Sequence, residues 1–175
     1  MRTRKVSMLS APCSKARVNS CRRRTWPCPC ARSRFKLAPY CQVAFDLARA
    51  RRKKVTVVHK GNVLRITDGL FLREVRSVAQ DYPDVETEEI IVDAMAALLI
   101  RRPESFDVVV TTNLFGDILS DEAAELSGGL GLGGSINASN DHAVAQAAHG
   151  SAPDIADQNK ANPTALVISA QMLLK

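Results

Sequence analysis

The stretch Phe106-Asp-Val-Val-Val-Thr-Thr-Asn-Leu-Phe-Gly-Asp-Ile-Leu-Ser-Asp121 joins a strongly apolar run to a polar segment that carries two carboxylates. The run from Phe106 to Thr111 predicts a buried strand, and the residues from Asp117 onward predict a helix. Asp117 and Asp121 therefore share one helix face just beyond a strand, where ligands of open α/β sheets bind, and such a pair can hold a divalent cation. Asp117 also follows Gly116 at the helix start, where an acidic residue caps free N–H groups, and spacing alone does not separate the two roles.

Strands and amphipathic helices alternate on both sides of this stretch. Lys54 to His59 predicts a second buried strand, and Tyr82-Pro83-Asp84 marks a turn. Apolar spacing predicts helices over residues 43–52, 67–80, 86–100, 117–126 and 165–174. This alternation predicts an α/β layered fold.

Charge and cysteine content divide the chain near residue 41. Residues 1–54 contain 16 of the 24 Lys and Arg and a single acid, Asp46, whereas the remainder is acidic. All five cysteines lie at or before Cys41. The net charge of +6 therefore does not describe the surface of one folded domain, and we expect the folded body to begin near Gln42.

Four interpretations of the basic head, residues 1–40, remain open. An organellar targeting segment is also Arg-rich and poor in acids, but prolines and cysteines interrupt any amphipathic helix here. Nucleic-acid binding through Arg22-Arg23-Arg24 and Trp26 has the right charge but no recognisable module, and a zinc site lacks paired Cys-x-x-Cys spacing. The composition fits best a disordered or artefactual extension. It is typical of a gene translated in the wrong reading frame. No apolar run reaches about 18 residues, so we expect no membrane-spanning segment and no membrane partner.

Three further polar residues stand where chemistry is expected. Lys60 and Asn62 follow the strand that ends at His59, and a lysine partly desolvated beside a metal can serve as a general base. Asp93 lies among apolar residues of the helix predicted over 86–100, where a buried carboxylate would need a cation or a hydrogen-bond partner. A lysine facing solvent and an aspartate on the polar helix face are the ordinary alternatives.

The glycine-rich segment from Gly128 to Gly134 contains a nominal Gly-x-Gly-x-x-Gly pattern. It follows a predicted helix instead of a strand, so we reject a Rossmann phosphate loop and expect close packing or a tight reversal. The polar cluster from His149 to Ile155 predicts a loop, and Asn162-Pro163 opens the last helix.

Three motifs in order resemble the β-decarboxylating dehydrogenases of the isocitrate/3-isopropylmalate dehydrogenase family. They are VVHKGNVLRITDGLF (57–71), FDVVVTTNLFGDILSDEAAELSGGLGL (106–132) and HGSAPDIADQNKANPTALVISAQMLL (149–174). The resemblance covers about residues 42–175 and implies an isopropylmalate dehydrogenase-like layered fold, incomplete and not Rossmann. It implies that residues 41–127 are part of a substrate and dimerisation domain and that residues 128–175 are part of a cofactor-binding domain.

The resemblance also implies NAD(P)-dependent oxidation of a malate-type 2-hydroxy acid, followed by loss of its β-carboxylate. Mg²⁺ or Mn²⁺ would be held by Asp93, Asp117 and Asp121, with Lys60 transferring a proton and Asn62 near substrate and nicotinamide. It implies a homodimer with shared active sites, in which Lys60 and Asp93 serve the neighbour's metal site. We expect such an enzyme in the cytoplasm.

The loop from His149 to Asn162 resembles the family's site for the adenosine half of the cofactor. The implied contacts come from His149, Gly150, Ser151, Ala152, Pro153, Asp154, Ile155 and Asn162. Asp154 can accept hydrogen bonds from both ribose hydroxyls and repels a 2′-phosphate, which favours NAD over NADP.

The family's amino-terminal region, with its substrate-binding arginines and catalytic tyrosine, has no counterpart in this sequence. We therefore expect marginal stability and exposed apolar surface. By resemblance to the family, the residues Val58-His59-Lys60 favour isocitrate or homoisocitrate as the substrate. 3-Isopropylmalate and tartrate-type acids remain open as substrates. A catalytically inactive fragment and a nucleic-acid-binding protein are the alternatives from other functional classes.

Overall fold

The computed structural model describes residues 7–11, 34–138 and 142–174. In chain order the elements are β1 (Ser7–Ala11), α1 (Arg34–Arg49), β2 (Lys54–His59), α2 (Thr67–Ala79), β3 (Glu86–Ile91), α3 (Val92–Arg101), β4 (Val108–Thr112), α4 (Asn113–Leu126), β5 (Gly134–Ala138), β6 (Ala143–Ala147) and α5 (Thr164–Leu173). Single 3₁₀ turns occupy Pro103–Ser105, Leu130–Leu132 and Pro153–Ile155. This mixed α/β architecture confirms the predicted fold class.

Four strands form a parallel sheet in the order β1-β4-β2-β3. Strands β2 and β4 lie in the middle and are almost wholly buried, as their continuous Val-rich sequences predict. Because all strands run the same way, the residues that follow β2, β3 and β4 reach the same edge of the sheet.

The core of this sheet unit lies between the sheet and helices α1 and α2. Its buried members are Leu37, Cys41, Ala44, Phe45, Ala48, Val55, Val57, Phe71, Leu72, Val75, Val78, Val85, Val108 and Val110. The Tyr40 hydroxyl donates to the Thr111 carbonyl at 3.0 Å and so joins α1 to β4. Helix α1 is therefore part of the core from its first turns onward.

The boundary predicted near residue 41 is wrong as a limit of folded structure. Helix α1 begins at Arg34, and Ser7–Ala11 pairs with β4 from Ser7↔Val108 to Ala11↔Thr112. Leu37 and Cys41 continue the apolar stripe of Ala44 and Ala48 at helical spacing, so burial explains the earlier start. The other residues of the head lie outside the described part of the chain, and so does the prediction of disorder for them.

The helix predicted over residues 86–100 is also corrected. Residues Glu86–Ile91 form strand β3, paired with β2 from Lys54↔Glu86 to His59↔Ile91, and α3 starts only at Val92. The Thr56 hydroxyl donates to Glu88 Oε1 at 2.9 Å. Pairing with a buried strand outweighs the helical preference of the glutamates.

The remaining predicted elements agree with the structure to within a few residues. Strand β2 matches its prediction, while α4 begins at Asn113, before the predicted start at Asp117. No helix in the described part of the chain combines the length and hydropathy needed to cross a membrane.

The chain separates into two compact units, residues 1–118 and 119–175. In the second unit, β5 and β6 form an antiparallel pair against which α5 packs. The Ser169 hydroxyl accepts the Ser135 N–H at 3.0 Å and lies 2.8 Å from the Gln146 carbonyl oxygen. One side chain thus connects α5 to both strands.

The glycine-rich segment makes both the reversal and the close packing that its composition predicts. Gly128 and Gly129 have φ values of 117° and 111°, which side chains other than glycine rarely adopt. A Cβ at Gly134 would lie 2.5 Å from Ile168 Cγ2, so α5 approaches the start of β5 too closely for any side chain.

Candidate functional site

Lys60 and Asp93 come together at the carboxyl edge of the parallel sheet. Lys60 directly follows β2, and Asp93 lies in the first turn of α3, which directly follows β3. The register pairs His59 with Ile91, so the two strands end side by side. The Lys60 ammonium donates a hydrogen bond to Asp93 Oδ1.

The environment of Asp93 differs from the predicted one. Its side chain is 60% exposed instead of buried, because the residues preceding it form a strand and place it at the start of α3. The expected partner is nevertheless present: the hydrogen bond from Lys60 is the main cause that lowers the pKa of the Asp93 carboxyl below its ordinary value. The Lys60 side chain is 26% exposed.

The turn after β2 holds the backbone of Lys60 from both sides. The Lys60 carbonyl oxygen accepts hydrogen bonds from the Val63 N–H at 2.9 Å and from the Leu64 N–H at 2.8 Å. Its own N–H donates to Asp68 Oδ2 at 2.7 Å. The Gly61 N–H donates to His59 Nδ1 at 3.0 Å, while Asn62 is exposed to solvent on the turn.

Asp68 is a site residue that the sequence analysis missed. It is buried in the first turn of α2, eight residues after Lys60. An acidic residue in a helical first turn is so common that the sequence gives no reason to single it out. The sequence feature that could have identified Asp68 is its position, within Thr67-Asp68-Gly69, eight residues after a lysine at the end of a strand.

Asp117 and Asp121 are both exposed on α4, the helix that directly follows β4. Four residues apart, they lie on one face of the helix, as predicted. Their hard carboxylate oxygens are the donors that Mg²⁺ and Mn²⁺ prefer. Among the residues that the structure describes, however, no three His, Cys, Asp or Glu side chains gather closely enough to hold a metal ion. The donor chemistry therefore fits a divalent ion, but the described part of one chain does not assemble a complete set of ligands.

The predicted cofactor loop belongs to the second unit and follows β6. His149 Nδ1 lies 2.9 Å from the Gly150 carbonyl oxygen, and the residues from Gly150 to Asp154 are exposed. Ala152 has a left-handed backbone with φ 42°, after which Pro153–Ile155 form a 3₁₀ turn. The Gln158 side chain donates to the Asp154 carbonyl at 2.8 Å, which ties this turn to the residues after it.

Asn162 closes the same loop at the start of α5. Its Oδ1 accepts the Thr164 N–H at 3.0 Å and so gives a partner to the first N–H group of the helix. A Cβ added to Gly131 would lie 3.6 Å from Asn162 Cβ, so the glycine-rich segment runs beside Asn162. The carboxylate of Asp154 is exposed to solvent.

A cavity of about 450 Å³ between α1 and α2 contains none of the predicted site residues. Ala38, Gln42, Glu74 and Ser77 are among its lining residues. It lies beside the helices that cover the sheet, whereas Lys60 and Asp93 lie at the ends of the strands.

Comparison with known proteins identifies the same family throughout. The profile of the family described as isocitrate/isopropylmalate dehydrogenase matches residues 33–175. A 3-isopropylmalate/3-methylmalate dehydrogenase of Methanocaldococcus jannaschii is 52% identical over 137 residues, which are 75% of this chain and 41% of the relative. An isocitrate/homoisocitrate dehydrogenase of Thermus thermophilus is 54% identical over 134 residues, covering 76% of this chain and 40% of the relative.

A solved structure shares both fold and sequence with the chain. The crystal structure of isocitrate dehydrogenase from Methylococcus capsulatus superposes with a TM-score of 0.78 at 54% identity. The matched region is 81% of this chain and 42% of that protein. The chain thus spans about two-fifths of the length of these relatives.

Proposed function

Because the chain belongs to the isocitrate/isopropylmalate dehydrogenase family, we propose that it acts in the NAD- and metal-dependent oxidative decarboxylation of a malate-type 2-hydroxy acid. The observation that carries this proposal is the Lys60–Asp93 pair at the carboxyl ends of adjacent parallel strands. It joins a proton-transferring amine to a carboxylate suited to a divalent ion, at the edge of the sheet where such folds bind ligands.

The proposed metal ligands are Asp93, Asp117 and Asp121, with Mg²⁺ or Mn²⁺ as the ion. When bound, the ion would polarise the substrate hydroxyl and stabilise the negative charge that develops during oxidation and loss of CO₂. The exposure of all three carboxylates supports this role, because each is open to an ion and to a second chain.

Lys60 is the proposed proton-transfer residue. Bound NAD would accept the hydride from the substrate's hydroxyl-bearing carbon, and the hydroxyl proton would need an acceptor. In the free chain, Lys60 Nζ donates a hydrogen bond to Asp93 Oδ1. As a neutral amine, Lys60 Nζ would take the hydroxyl proton and later return a proton, directly or through one water. Asn62, exposed two residues later on the same turn, would orient substrate and nicotinamide through its amide.

The proposed cofactor is NAD, although the family includes enzymes that use NAD and enzymes that use NADP. The exposed Asp154 supports this preference, because a carboxylate accepts hydrogen bonds from ribose hydroxyls and repels a 2′-phosphate. His149, Asn162 and the intervening loop would hold the adenosine half.

The proposed assembly is a homodimer with shared active sites. Helix α4 exposes Leu114 and Ile118, 63% and 57% accessible and one turn apart, beside Asp117. A second copy covering this apolar face would bring its own Lys60 and Asp93 to the Asp117–Asp121 pair. Such sharing supplies the ligands that the described part of one chain does not gather.

The direct test supplies the purified chain with Mn²⁺, NAD and, in turn, isocitrate, homoisocitrate and 3-isopropylmalate. We expect one acid to yield NADH and CO₂ in equal amounts, with NADP a poorer oxidant than NAD. The Lys60→Met variant should lose about a hundredfold or more in kcat, the usual contribution of a positioned proton-transfer group. Equal turnover by the variant would contradict the role of Lys60.

A second candidate is a catalytically inactive fragment that retains dimerisation or partial ligand binding. The observation that favours it is the coverage of only about two-fifths of each relative. Binding of Mn²⁺ and NAD without NADH from any of the three acids would establish this alternative.

A further inference from the structure

Asp68 is a buried carboxylate that the proposed reaction does not use. Its exposed fraction is 1%, although a charged side chain removed from water needs compensating contacts. Its place in the first turn of α2 provides one, because the helix dipole favours a negative charge there. That contribution explains why Asp68 is tolerated but not why its side chain turns back towards β2.

The second contact of Asp68 is specific to Lys60. Its Oδ2 accepts the Lys60 N–H at 2.7 Å, a short charge-assisted hydrogen bond across the turn. With the Lys60 carbonyl held by Val63 and Leu64, both backbone polar groups of Lys60 are fixed. The direction in which the Lys60 side chain leaves the sheet is therefore set by contacts outside β2 itself.

We propose that Asp68 is a positioning residue, which fixes the backbone of Lys60 so that its amine reaches Asp93. The step from this position to catalysis rests on the proposed function. The positioning itself does not, because it concerns only the contact of the Asp68 side chain with the Lys60 backbone, and its effect on the Lys60 amine, in the free protein.

Asp107 provides a matched control within the same sheet. It is also buried, with 2% exposed, and its Oδ2 accepts the Arg52 N–H at 2.9 Å, just before β2 begins. Each aspartate thus bonds a backbone N–H at one end of β2. Removal of either side chain should lower stability, but only Asp68 should affect Lys60.

The test compares Asp68→Ala, Asp68→Asn and Asp107→Ala in the full chain. The rate of Lys60 acetylation by acetic anhydride is measured by peptide mass spectrometry, relative to Lys54 in the same sample. Asp68→Ala should raise this relative rate severalfold, because the amine leaves Asp93. Asp68→Asn retains an oxygen acceptor and should stay near the wild-type rate, and Asp107→Ala should leave the rate unchanged.

Two results would overturn the role of Asp68. One is an unchanged relative rate in folded Asp68→Ala, and the other is an equal increase in Asp107→Ala. If Asp68→Ala does not fold, amide exchange in the wild-type chain decides instead. The Lys60 N–H should then exchange at least about tenfold more slowly than an unprotected amide, and exchange at the unprotected rate would overturn the role.

A kinetic measurement links this role to the proposed reaction. In an active enzyme, Asp68→Ala should lower kcat about tenfold or more with little change in KM, since misplacement of a reacting group acts on the chemical step. A rise in KM alone would contradict the link. Absence of turnover in the wild type, with the labelling result as expected, would refute the proposed function but support the positioning role.

Discussion

Asp107 shows how one side chain orders the amino-terminal edge of the sheet. Its two carboxylate oxygens accept hydrogen bonds from the Arg51 Nε–H at 2.9 Å and from the Arg52 N–H at 2.9 Å. Burial acts to raise the pKa of this carboxyl, but the Arg52 N–H and the Arg51 guanidinium outweigh it, so the pKa lies below the ordinary value. The exposed Asp84 behaves similarly, since the hydrogen bond from Arg49 lowers its pKa to about 2.

These lowered pKa values predict loss of stability in acid. A carboxyl with a folded pKa below its unfolded value, about 3.9 for aspartate, contributes fully above that value. The contribution disappears as the pH falls from there towards the folded pKa. We expect the free energy of unfolding, measured with urea, to decline below about pH 4.

The Asp107→Asn variant should be less stable than the wild type at neutral pH. Its free energy of unfolding should also fall less steeply as the pH is lowered below about 4. Loss of a charged hydrogen-bond acceptor in a buried position costs about 2 kcal/mol. Two urea titration series, one for each protein, measure both effects. A variant with the full acid dependence of the wild type would show that Asp107 does not contribute to it.

Cys41 tests whether α1 belongs to the core. Burial, and secondarily the charge of Glu74, raises the pKa of its thiol to about 12, so little reactive thiolate is present near neutral pH. Iodoacetamide should therefore leave Cys41 unmodified in the native chain and modify it in urea, as read by peptide mass spectrometry. Rapid native modification would contradict the burial of this part of α1.

At the scale of elements, the sequence predicts what local periodicity determines. The Val-rich β2 and the amphipathic α2 have patterns that their final environment reinforces. Strand β3 was mistaken for a helix because Glu86-Thr-Glu-Glu-Ile-Ile91 has glutamates typical of helices. Its conformation is determined by pairing with β2, a contact between distant residues that no local window contains.

The start of α1 was missed for a different reason. Pro39, Cys41 and the basic composition of the residues before them obscure the stripe of Leu37, Ala44 and Ala48. Pro39 is the sixth residue of α1, so the N–H that it lacks removes one backbone hydrogen bond inside the helix, and burial of the apolar stripe outweighs that loss. Composition therefore suggested disorder where burial of one helix face decides the structure.

Close packing between α5 and the β5–β6 pair predicts that two glycine-to-alanine substitutions will lower the stability by unequal amounts. Gly134→Ala would place a Cβ 2.5 Å from Ile168 Cγ2 and so force α5 or β5 to move. The free energy of unfolding should fall by about 1–3 kcal/mol, as for overpacked cores. Gly150→Ala is the control, because a Cβ there meets nothing within 4 Å. Equal stabilities of the two variants, measured by urea unfolding, would contradict the packing of α5.

At the scale of the whole molecule, the sequence proposed individual site residues but did not predict how they contact one another. The structure pairs Asp93 with Lys60, a contact that the sequence analysis did not specify, and the predicted burial of Asp93 was wrong. Asp68 was missed because its partner is a backbone N–H, which has no sequence signature. The expected exposed apolar surface is present, for example on α4 at Leu114 and Ile118.

The same apolar face leads to the central claim, that two copies of the chain share each metal site. Under this claim Asp93 of one copy and the Asp117–Asp121 pair of the other bind one ion. Asp93→Asn and Asp117→Asn should then each weaken Mn²⁺ binding. Glu104→Gln, which removes an exposed charge elsewhere, should not.

The most direct measurement is Mn²⁺ titration, followed by electron paramagnetic resonance, of Asp93→Asn and Asp117→Asn separately and after mixing with exchange of subunits. In an equal mixture half of the dimers are mixed, and each mixed dimer has one intact site of two, so about a quarter of all sites should regain wild-type affinity. A mixture that binds no more tightly than the two variants measured apart would contradict a shared site.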